Sequence, residues 1–277
     1  MKHLYGKNVF LTGGSSGIGL ATAKLFAANG YTVFAASRAP LSNDQSFPGG
    51  GVIRAVTVDV RDPQSVDTAA RYVLAEADIG IVVHCAGIGI ACPAEDFPAD
   101  PVMSLMETNL YGVMRVNSRL LPHLRERGGG LCIIIGSVAG VFPIPFQSHY
   151  SASKAALDSY AAALRMELRN FGVCVSLVLP GDTSTGFTDA RKYEIDARSP
   201  YYASCLRAVQ KMENDERGGN SPQSAARAVL GLCSRKNPPL RVIVGFSYKL
   251  LSFLRRLLPD RLVLLITRAV YLPAGKK

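Results

Sequence analysis

The residues TGGSSGIG, from Thr12 to Gly19, decide the fold of this chain. An apolar run typical of a strand precedes them, and a helical pattern follows them. A strand, a glycine-rich turn and a helix in immediate succession are the context that a dinucleotide-binding fingerprint requires. Gly13 permits the tight turn, Gly17 lets the backbone approach a pyrophosphate, and Gly19 allows the helix to pack closely on the strand. The sequence therefore predicts that a dinucleotide binds at this turn.

Strands and helices continue to alternate along the chain, and this alternation predicts an α/β fold. Further strand-like runs lie at residues 31–36, 52–58, 79–83, 131–135, 173–179 and 240–244. With the first strand they predict a doubly wound, mostly parallel sheet of seven strands, whose ligands bind at the strands' carboxyl ends. We expect residues 1–245 to form this Rossmann-type catalytic domain, with 186–220 as a lid over the substrate. Residues 246–277 are expected to form a basic amphipathic helical extension.

The end of the second predicted strand bears on the choice of cofactor. An NAD site usually places an acidic residue about twenty residues after the glycines, where it holds the ribose hydroxyls. No Asp or Glu occurs from Leu20 to Asn43, and the second strand ends in Ser37 and Arg38. An arginine at this place can receive a 2′-phosphate. The sequence therefore favours NADP(H), with a solvated surface arginine as the alternative.

Ser137, Tyr150 and Lys154 are the candidate catalytic residues. Ser137 follows an apolar strand, and Tyr150 and Lys154 open an Ala-rich helix. Their four-residue spacing places the phenol and the ammonium on one helical face. A cation ~6 Å away at an effective dielectric of ~20 lowers the pKa of a phenol by about 2. We therefore expect Tyr150 to exchange a proton with an alcohol or carbonyl oxygen, an ordinary surface Tyr and Lys being the alternative.

Asn109 lies in a helical pattern over residues 101–121, where it is a poor helix former among long apolar side chains. A tolerated polar residue is the ordinary interpretation. A kink that frees a backbone carbonyl for water is the functional one.

These motifs together resemble those of the short-chain dehydrogenase/reductase family. The glycine pattern, a serine thirteen residues before Tyr-x-x-x-Lys, and the run PGDTST at 180–185 occur in the family's order and spacing. The resemblance implies that Ser137 positions the substrate oxygen and that Tyr150 transfers its proton. It also implies that Lys154 tunes Tyr150 and holds the nicotinamide ribose, while Asn109 anchors a proton-relay water.

The expected contacts to the cofactor extend over the carboxyl edge of the sheet. They are Gly13, Ser15, Ser16, Gly17, Ile18, Gly19, Ser37, Arg38, Asp59, Val60, Ala86, Gly87, Tyr150, Lys154, Pro180, Gly181, Thr183 and Thr185. One motif departs from the family, which usually has Asn-Asn-Ala-Gly where this chain has HCAG at 84–87. We expect His84 to be a structural substitute and not a catalytic group.

An apolar segment after Ser137 predicts a large apolar substrate. Residues 141–146 read VFPIPF, and no Lys or Arg between Ser137 and Lys154 could anchor a phosphate or CoA. The expected substrate contacts are Ser137, Val141, Phe142, His149, Tyr150 and Phe187. The longer segment from Gly136 to Lys154 and the tail are similar to steroid- and retinol-active members of the family, including the 17β-hydroxysteroid dehydrogenase group.

That similarity implies interconversion of a hydroxysteroid and a ketosteroid. Retinoids, 3-oxoacyl chains and other lipid carbonyls are the alternative substrates. An NADP-sensing, membrane-associated binding protein is the alternative outside enzymology.

Charge is concentrated at the carboxyl end of the chain. Of the formal net charge of +10, residues 235–277 carry +9, from ten Lys or Arg and one Asp. These cations alternate with leucines and not with base-stacking aromatics, so a nucleic acid is not the expected partner. Residues 246–272 are too short and too charged to span a bilayer, and predict either peripheral membrane contact or packing on the core or a partner chain.

Cysteine spacing and small residues give the remaining expectations. Six cysteines without a Cys-x-x-Cys pair indicate buried thiols and no metal site. The short polar start lacks a signal-peptide pattern, so we expect a cytoplasmic protein, with membrane association through the tail as an addition. Ala152, Ala155 and Ala156 permit close helix packing and predict a homodimer.

Overall fold

The computed structural model of this chain describes residues 3–272 and contains ten strands and nine α-helices within that range. The strands are β1 (Asn8–Thr12), β2 (Thr32–Ser37), β3 (Gln45–Ser46), β4 (Val52–Thr57), β5 (Ile79–His84), β6 (Ile90–Ala91), β7 (Gly130–Ile135), β8 (Val173–Pro180), β9 (Lys192–Tyr193) and β10 (Arg241–Val244). The helices are α1 (Gly17–Ala28), α2 (Pro63–Glu76), α3 (Ala99–Met106), α4 (Gly112–Glu126), α5 (Ser148–Glu167), α6 (Tyr202–Arg217), α7 (Pro222–Leu232), α8 (Phe246–Arg255) and α9 (Asp260–Tyr271).

Seven strands form one parallel sheet in the order β10-β8-β7-β5-β1-β2-β4. The two-residue strand β3 adds an antiparallel edge beside β4, and β6 pairs separately with β9. The predicted α/β fold with a doubly wound, mostly parallel sheet is confirmed. The chain proceeds from β1 outward to β4 and then returns to place β5 on the other side of β1. This reversal creates a crevice at the carboxyl ends of β1 and β5, which is where such folds bind ligands.

Apolar side chains on both faces of the sheet hold the helices against it. On β1, Val9 and Leu11 belong to the same apolar cluster as Phe26 of α1, whereas Phe10 belongs to the cluster on the opposite face. Strands β5 and β7 are buried along their whole lengths, which explains why their sequences are nearly all aliphatic. The first polar side chains after these strands therefore emerge at the carboxyl edge of the sheet.

The helix predicted over residues 101–121 is divided in the structure. Helix α3 ends at Met106, a π-helical turn covers Glu107–Tyr111, and α4 continues to Glu126. A π-helical turn inserts an extra residue into a helix and rotates the side chains within it. Asn109 lies in this turn and is fully buried, so the predicted irregularity at this residue is present as a π-helical turn.

The segment predicted as a lid and the C-terminal extension complete the chain. Residues 186–220 contain β9 and the sixteen-residue helix α6. The extension forms α8 and α9, separated near Pro259, and residues 273–277 of the predicted extension lie outside the described residues. Within residues 3–272, no helix is both long enough and apolar enough to cross a bilayer.

Candidate active site

Two adjoining cavities at the carboxyl ends of the parallel strands form one elongated cleft. The first, of about 390 Å³, contains Ser137, Tyr150 and Lys154 in its wall. The second, of about 400 Å³, extends past the ends of β2 and β4 and shares Gly13, Ser16, Arg38, Ala86, Gly87 and Ile88 with the first. All of the expected cofactor contacts lie in the wall of one cavity or the other. The structure thus brings them together, and their roles stay predictions.

The glycine-rich turn between β1 and α1 shapes the middle of the cleft. Gly13 has φ +71°, and a Cβ atom there would lie 2.7 Å from the backbone nitrogen of Ala86, so a larger residue would displace the loop after β5. Helix α1 begins at Gly17, and Ser16 at its N-cap makes no side-chain capping bond within the described part of the chain. The first N–H groups of α1 consequently point to the cleft without a side-chain partner, an arrangement that binds phosphate.

At the far end of the cleft, Asp59 has an ion-pair partner, whereas Arg38 has none within the described residues. Nη2 of Arg61 lies 2.6 Å from Oδ2 of Asp59, and hydrogen bonds from Arg61 hold the pKa of Asp59 below its usual range despite burial. The side chain of Arg38 is exposed and makes no hydrogen bond or ion pair among residues 3–272. Because Asp59 is occupied by Arg61, the guanidinium of Arg38 is available to an incoming anion.

Tyr150 occupies the wall of the cleft beside Ser137 and Phe187. The rings of Tyr150 and Phe187 have centroids 5.8 Å apart. Burial raises the pKa of Tyr150 to about 12, more than the Ser137 hydroxyl lowers it. The expectation that the pKa of Tyr150 lies below its ordinary value is therefore wrong, because burial disfavours the phenolate more strongly than the Ser137 hydroxyl and the cation of Arg191 favour it. Tyr150 is a neutral phenol at physiological pH and can donate its proton.

Lys154 is buried one helical turn from Tyr150. Its Nζ donates a hydrogen bond to the backbone oxygen of Ile135 at 3.0 Å and lies 5.7 Å from the centre of the Tyr150 ring. Burial lowers the pKa of Lys154 to about 8. The ammonium is therefore only moderately favoured at neutral pH, and the hydrogen bond to the end of β7 fixes its position.

Asn109 fastens the loop after β5 to the helix that carries Tyr150. Its Oδ1 accepts a hydrogen bond from the backbone nitrogen of Ile88 at 2.8 Å, and its Nδ2 donates to the oxygen of the same residue at 3.0 Å. Nδ2 also donates to Oγ of Ser153 at 3.1 Å. Since these bonds occupy the amide, any water held by Asn109 would have to bind its backbone. The proton relay stays a prediction.

A profile of the short chain dehydrogenase family matches residues 7–195, which include Ser137, Tyr150 and Lys154. The chain belongs to the short chain dehydrogenase family. It is an oxidoreductase of that family, and solved members hold NAD in some cases and NADP in others.

Relatives of this dehydrogenase include enzymes named for two kinds of lipid. A 3-ketodihydrosphingosine reductase of Bacteroides thetaiotaomicron is 36% identical over 267 residues, covering 95% of this chain and 97% of the relative. Human 17-beta-hydroxysteroid dehydrogenase type 1 is 34% identical over 191 residues, covering 65% of this chain and 58% of the relative. A solved short-chain dehydrogenase from Streptomyces avermitilis has a TM-score of 0.79 and 28% identity, covering 95% of this chain and 97% of its own.

The unusual His84 of this dehydrogenase takes part in a buried hydrogen-bond network away from the cleft. Its Nε2 lies 2.8 Å from Oδ1 of Asn117, whose Nδ2 donates to the hydroxyl of Tyr160 at 3.2 Å. Burial lowers the pKa of His84 to about 4, so the ring is neutral. This network ties β5 to α4 and α5, a structural role in line with the sequence-based expectation.

The predicted substrate contacts are only partly brought together. Ser137, Tyr150 and Phe187 line the cleft, whereas Val141, Phe142 and His149 lie outside its wall. Val141 packs against the core, and the ring of His149 lies 5.7 Å from that of Phe97. A 3₁₀ turn over Val138–Gly140 and a left-handed Phe146, with φ +61°, turn this segment back on itself. Ile144 and Gln147 face the cleft instead.

Two polar residues that the sequence did not single out line the first cavity together with Tyr150. Gln147 is buried in the wall, and its Nε2 has no hydrogen-bond partner in the described structure. Glu216 of α6 also lines the cleft, accepts a hydrogen bond from Thr188 at 2.6 Å and pairs with the buried Arg191. A glutamine before the helix and a glutamate in a charged lid have no pattern that distinguishes them from surface residues. Only the fold brings them into the same cavity as Tyr150.

Proposed function

We propose that this chain is an NADP(H)-dependent reductase that interconverts a ketone and a secondary alcohol on a long apolar lipid. One observation carries the proposal. The cleft that contains the neutral Tyr150, Ser137 and Lys154 is also lined by the glycine-rich turn between β1 and α1. A nicotinamide cofactor supplies a hydride to the carbonyl carbon. The side chains of the protein bind the carbonyl oxygen and deliver a proton to it.

Each of the three side chains has a distinct part in that work. Ser137 donates a hydrogen bond to the carbonyl oxygen and fixes it near the phenol. Tyr150 then gives its phenolic proton to that oxygen, and the oxygen becomes the hydroxyl of the product. The ammonium of Lys154 stabilises the phenolate that remains, since the two side chains lie on one face of α5. In alcohol oxidation the same proton returns to the phenolate.

The availability of Arg38 supports NADP(H) as the cofactor. A 2′-phosphate would form charge-assisted hydrogen bonds with a guanidinium that no carboxylate of residues 3–272 neutralises by direct contact. Ser37 lies beside it, with its hydroxyl donating to the backbone oxygen of Ala39 at 2.8 Å. No acidic residue stands at the end of β2 to hold a 2′-hydroxyl.

A ketone with neighbouring polar groups on a long chain is the substrate class that we favour. The full-length similarity to a 3-ketodihydrosphingosine reductase supports it. Gln147 and Glu216 support it as well, because a long-chain amino alcohol offers polar groups next to its ketone that these two side chains can meet. A ketosteroid is the second candidate, supported by the 34% identity to a 17-beta-hydroxysteroid dehydrogenase.

A substrate panel tests the proposal. NADPH consumption is followed by absorbance with 3-ketodihydrosphingosine, a 17-ketosteroid, retinal and a 3-oxoacyl thioester at equal concentrations. We expect the first to give the highest kcat/KM, by at least about tenfold. Fastest turnover of the steroid would favour the second candidate, and no turnover of any carbonyl would favour a nucleotide-binding protein without enzymatic activity.

A further inference from the structure

Helices α8 and α9 direct their apolar sides away from the body of the protein. Large apolar side chains are exposed along both α8 and α9, where they recur with helical spacing. Most of them, together with Leu257 just after α8, form what we call the outer face: Phe246, Leu250, Phe253, Leu254, Leu257, Leu262, Leu265 and Ile266. Phe246 is 84% exposed, Leu257 69% and Leu265 61%. A helix that only covers a core turns its apolar stripe inward, so the outer face is not explained by packing on this chain.

The opposite sides of the two helices are attached to the body near the cleft. The ring of Tyr248 lies against Gly181, where a Cβ atom would be only 2.1 Å from Cδ2 of the ring, and its hydroxyl hydrogen-bonds to Asp182. Val263 of α9 is buried. Tyr271 packs with the apolar cluster that contains Cys205 of α6. The outer face is therefore held outward by contacts on the inner side.

Basic side chains border the outer face on both helices. Lys249 of α8 and Arg256 at the C-cap of that helix lie seven residues apart, and so do Arg261 and Arg268 of α9. Each pair follows one edge of its helix, because seven residues make about two turns. All four are exposed, and none forms an ion pair within residues 3–272. The only acidic residue of the two helices, Asp260, is paired with Arg255.

We propose that the outer face docks on the surface of a bilayer that contains anionic lipids. Leucine and phenylalanine side chains would enter the boundary of the acyl chains, and the flanking cations would meet the lipid phosphates and carboxylates. The charge of this surface favours an anionic bilayer over a second copy of the chain, because the cations that border two facing outer faces would repel each other. A contiguous exposed apolar surface of several large side chains marks an interaction site.

Docking in this orientation brings the bilayer close to the substrate end of the cleft. Tyr248 contacts Gly181 and Asp182, which both line the cleft, and α9 packs on α6, which carries Glu216. A lipid substrate would then enter from the surface on which the enzyme sits. The docking surface itself does not depend on which ketone is reduced, so it can be tested without substrate.

Vesicle flotation tests the proposal with the full chain. Phosphatidylcholine vesicles with and without about 30% phosphatidylserine are mixed with the wild type, with Leu257→Ser/Leu265→Ser and with Arg256→Gln/Arg261→Gln. We expect the wild type to float with the anionic vesicles and to be released by high salt. Loss of the two leucines should weaken binding at least about tenfold, and loss of the arginines about fivefold for each cation.

Two matched variants control for nonspecific effects of exposed residues. Met166→Ser removes a side chain that is 74% exposed on α5, and Lys24→Gln removes a cation on α1. Both should float as the wild type does, and all variants should keep their turnover of a small water-soluble ketone without vesicles. Equal flotation of the leucine variant and the wild type would overturn the proposal. So would a wild type that ignores both vesicles but forms a dimer that the leucine substitutions dissociate.

Discussion

Nζ of Lys154 lies 5.7 Å from the centre of the Tyr150 ring and donates its hydrogen bond to the backbone oxygen of Ile135, not to the phenol. The two groups are thus neighbours in the wall of one cleft without a direct bond between them. Burial raises the pKa of the phenol to about 12 and lowers that of the ammonium to about 8. Both shifts follow from removing a charge from water, and they give the reaction its pH dependence.

The direction of these shifts predicts opposite pH profiles for reduction and oxidation. Ketone reduction needs the protonated Tyr150, which is present far above neutral pH, so its kcat/KM should be level from pH 6 to about 7.5. It should then fall as Lys154 loses its proton near pH 8. Alcohol oxidation needs the phenolate, so its kcat/KM should rise with pH across the same range. Steady-state kinetics in both directions measures this, and an oxidation rate that levels off below pH 7 would contradict it.

Arg38→Ala should weaken the binding of NADPH and leave that of NADH nearly unchanged. A charge-assisted hydrogen bond contributes about 1.5–3 kcal/mol, which corresponds to a loss of about 10–100-fold in affinity. Fluorescence titration with each nucleotide measures the two constants. Arg54→Ala is a matched control, because this arginine is half-buried on β4, lies outside the cleft and pairs with Glu76. An equal loss for both nucleotides would show that Arg38 does not recognise the 2′-phosphate.

Gln147→Leu should raise KM only for substrates that carry a polar group next to the ketone. The unpartnered Nε2 of Gln147 is available to such a group, and an unmade hydrogen bond in a buried site costs about 1–3 kcal/mol. We expect a rise of about tenfold in KM for 3-ketodihydrosphingosine and little change for a plain long-chain ketone. Ile144→Val, which changes an apolar side chain of the same cleft, should affect both substrates alike.

His84 should make the protein less stable as the pH falls from about 6.5 to about 4. Its pKa is lowered from the ordinary 6.5 to about 4 by burial, so the unfolded chain binds a proton in this range that the folded chain does not. The free energy of unfolding should therefore decrease by about 3 kcal/mol across the window.

Urea denaturation of the wild type and of His84→Asn measures this contribution. An asparagine can keep a hydrogen bond to Asn117 and does not titrate, so most of the decline between these pH values should disappear. His149→Asn alters a less buried histidine and should leave most of the decline in place. An unchanged decline in His84→Asn would assign the effect to other groups.

The fold could be predicted from the sequence, and so could the residues that line the cleft near the glycine-rich turn, because both depend on local patterns. Gly13 and Gly19 are required by backbone geometry, and the aliphatic strands are required by burial on both faces. The strand boundaries then bring Ser137, Ala86 and Thr185 to one edge of the sheet. These residues lie near strand ends, so their placement follows once the strands are known.

The substrate end was predicted less well because it depends on where irregular segments turn. The conformation of Phe146 and the 3₁₀ turn direct Ile144 inward and leave Val141 and His149 outside. Glu216 reaches the cleft from a helix nearly eighty residues after Ser137 in the chain. The pKa of Tyr150 was also predicted in the wrong direction, since helical spacing gives the distance to Lys154 but not the extent of burial.

Tyr150→Phe tests the central claim most directly. The wild type and this variant are compared for NADPH consumption with 3-ketodihydrosphingosine and for NADPH affinity. Tyr193→Phe is the control, because it removes a hydroxyl of β9 that lies outside the cleft and donates to Glu213. General acid catalysis contributes about 10²–10⁴-fold. We expect kcat of Tyr150→Phe to fall by at least about 100-fold, while its NADPH affinity stays within about twofold of the wild-type value. Turnover of Tyr150→Phe equal to that of the wild type would show that another acid protonates the carbonyl oxygen.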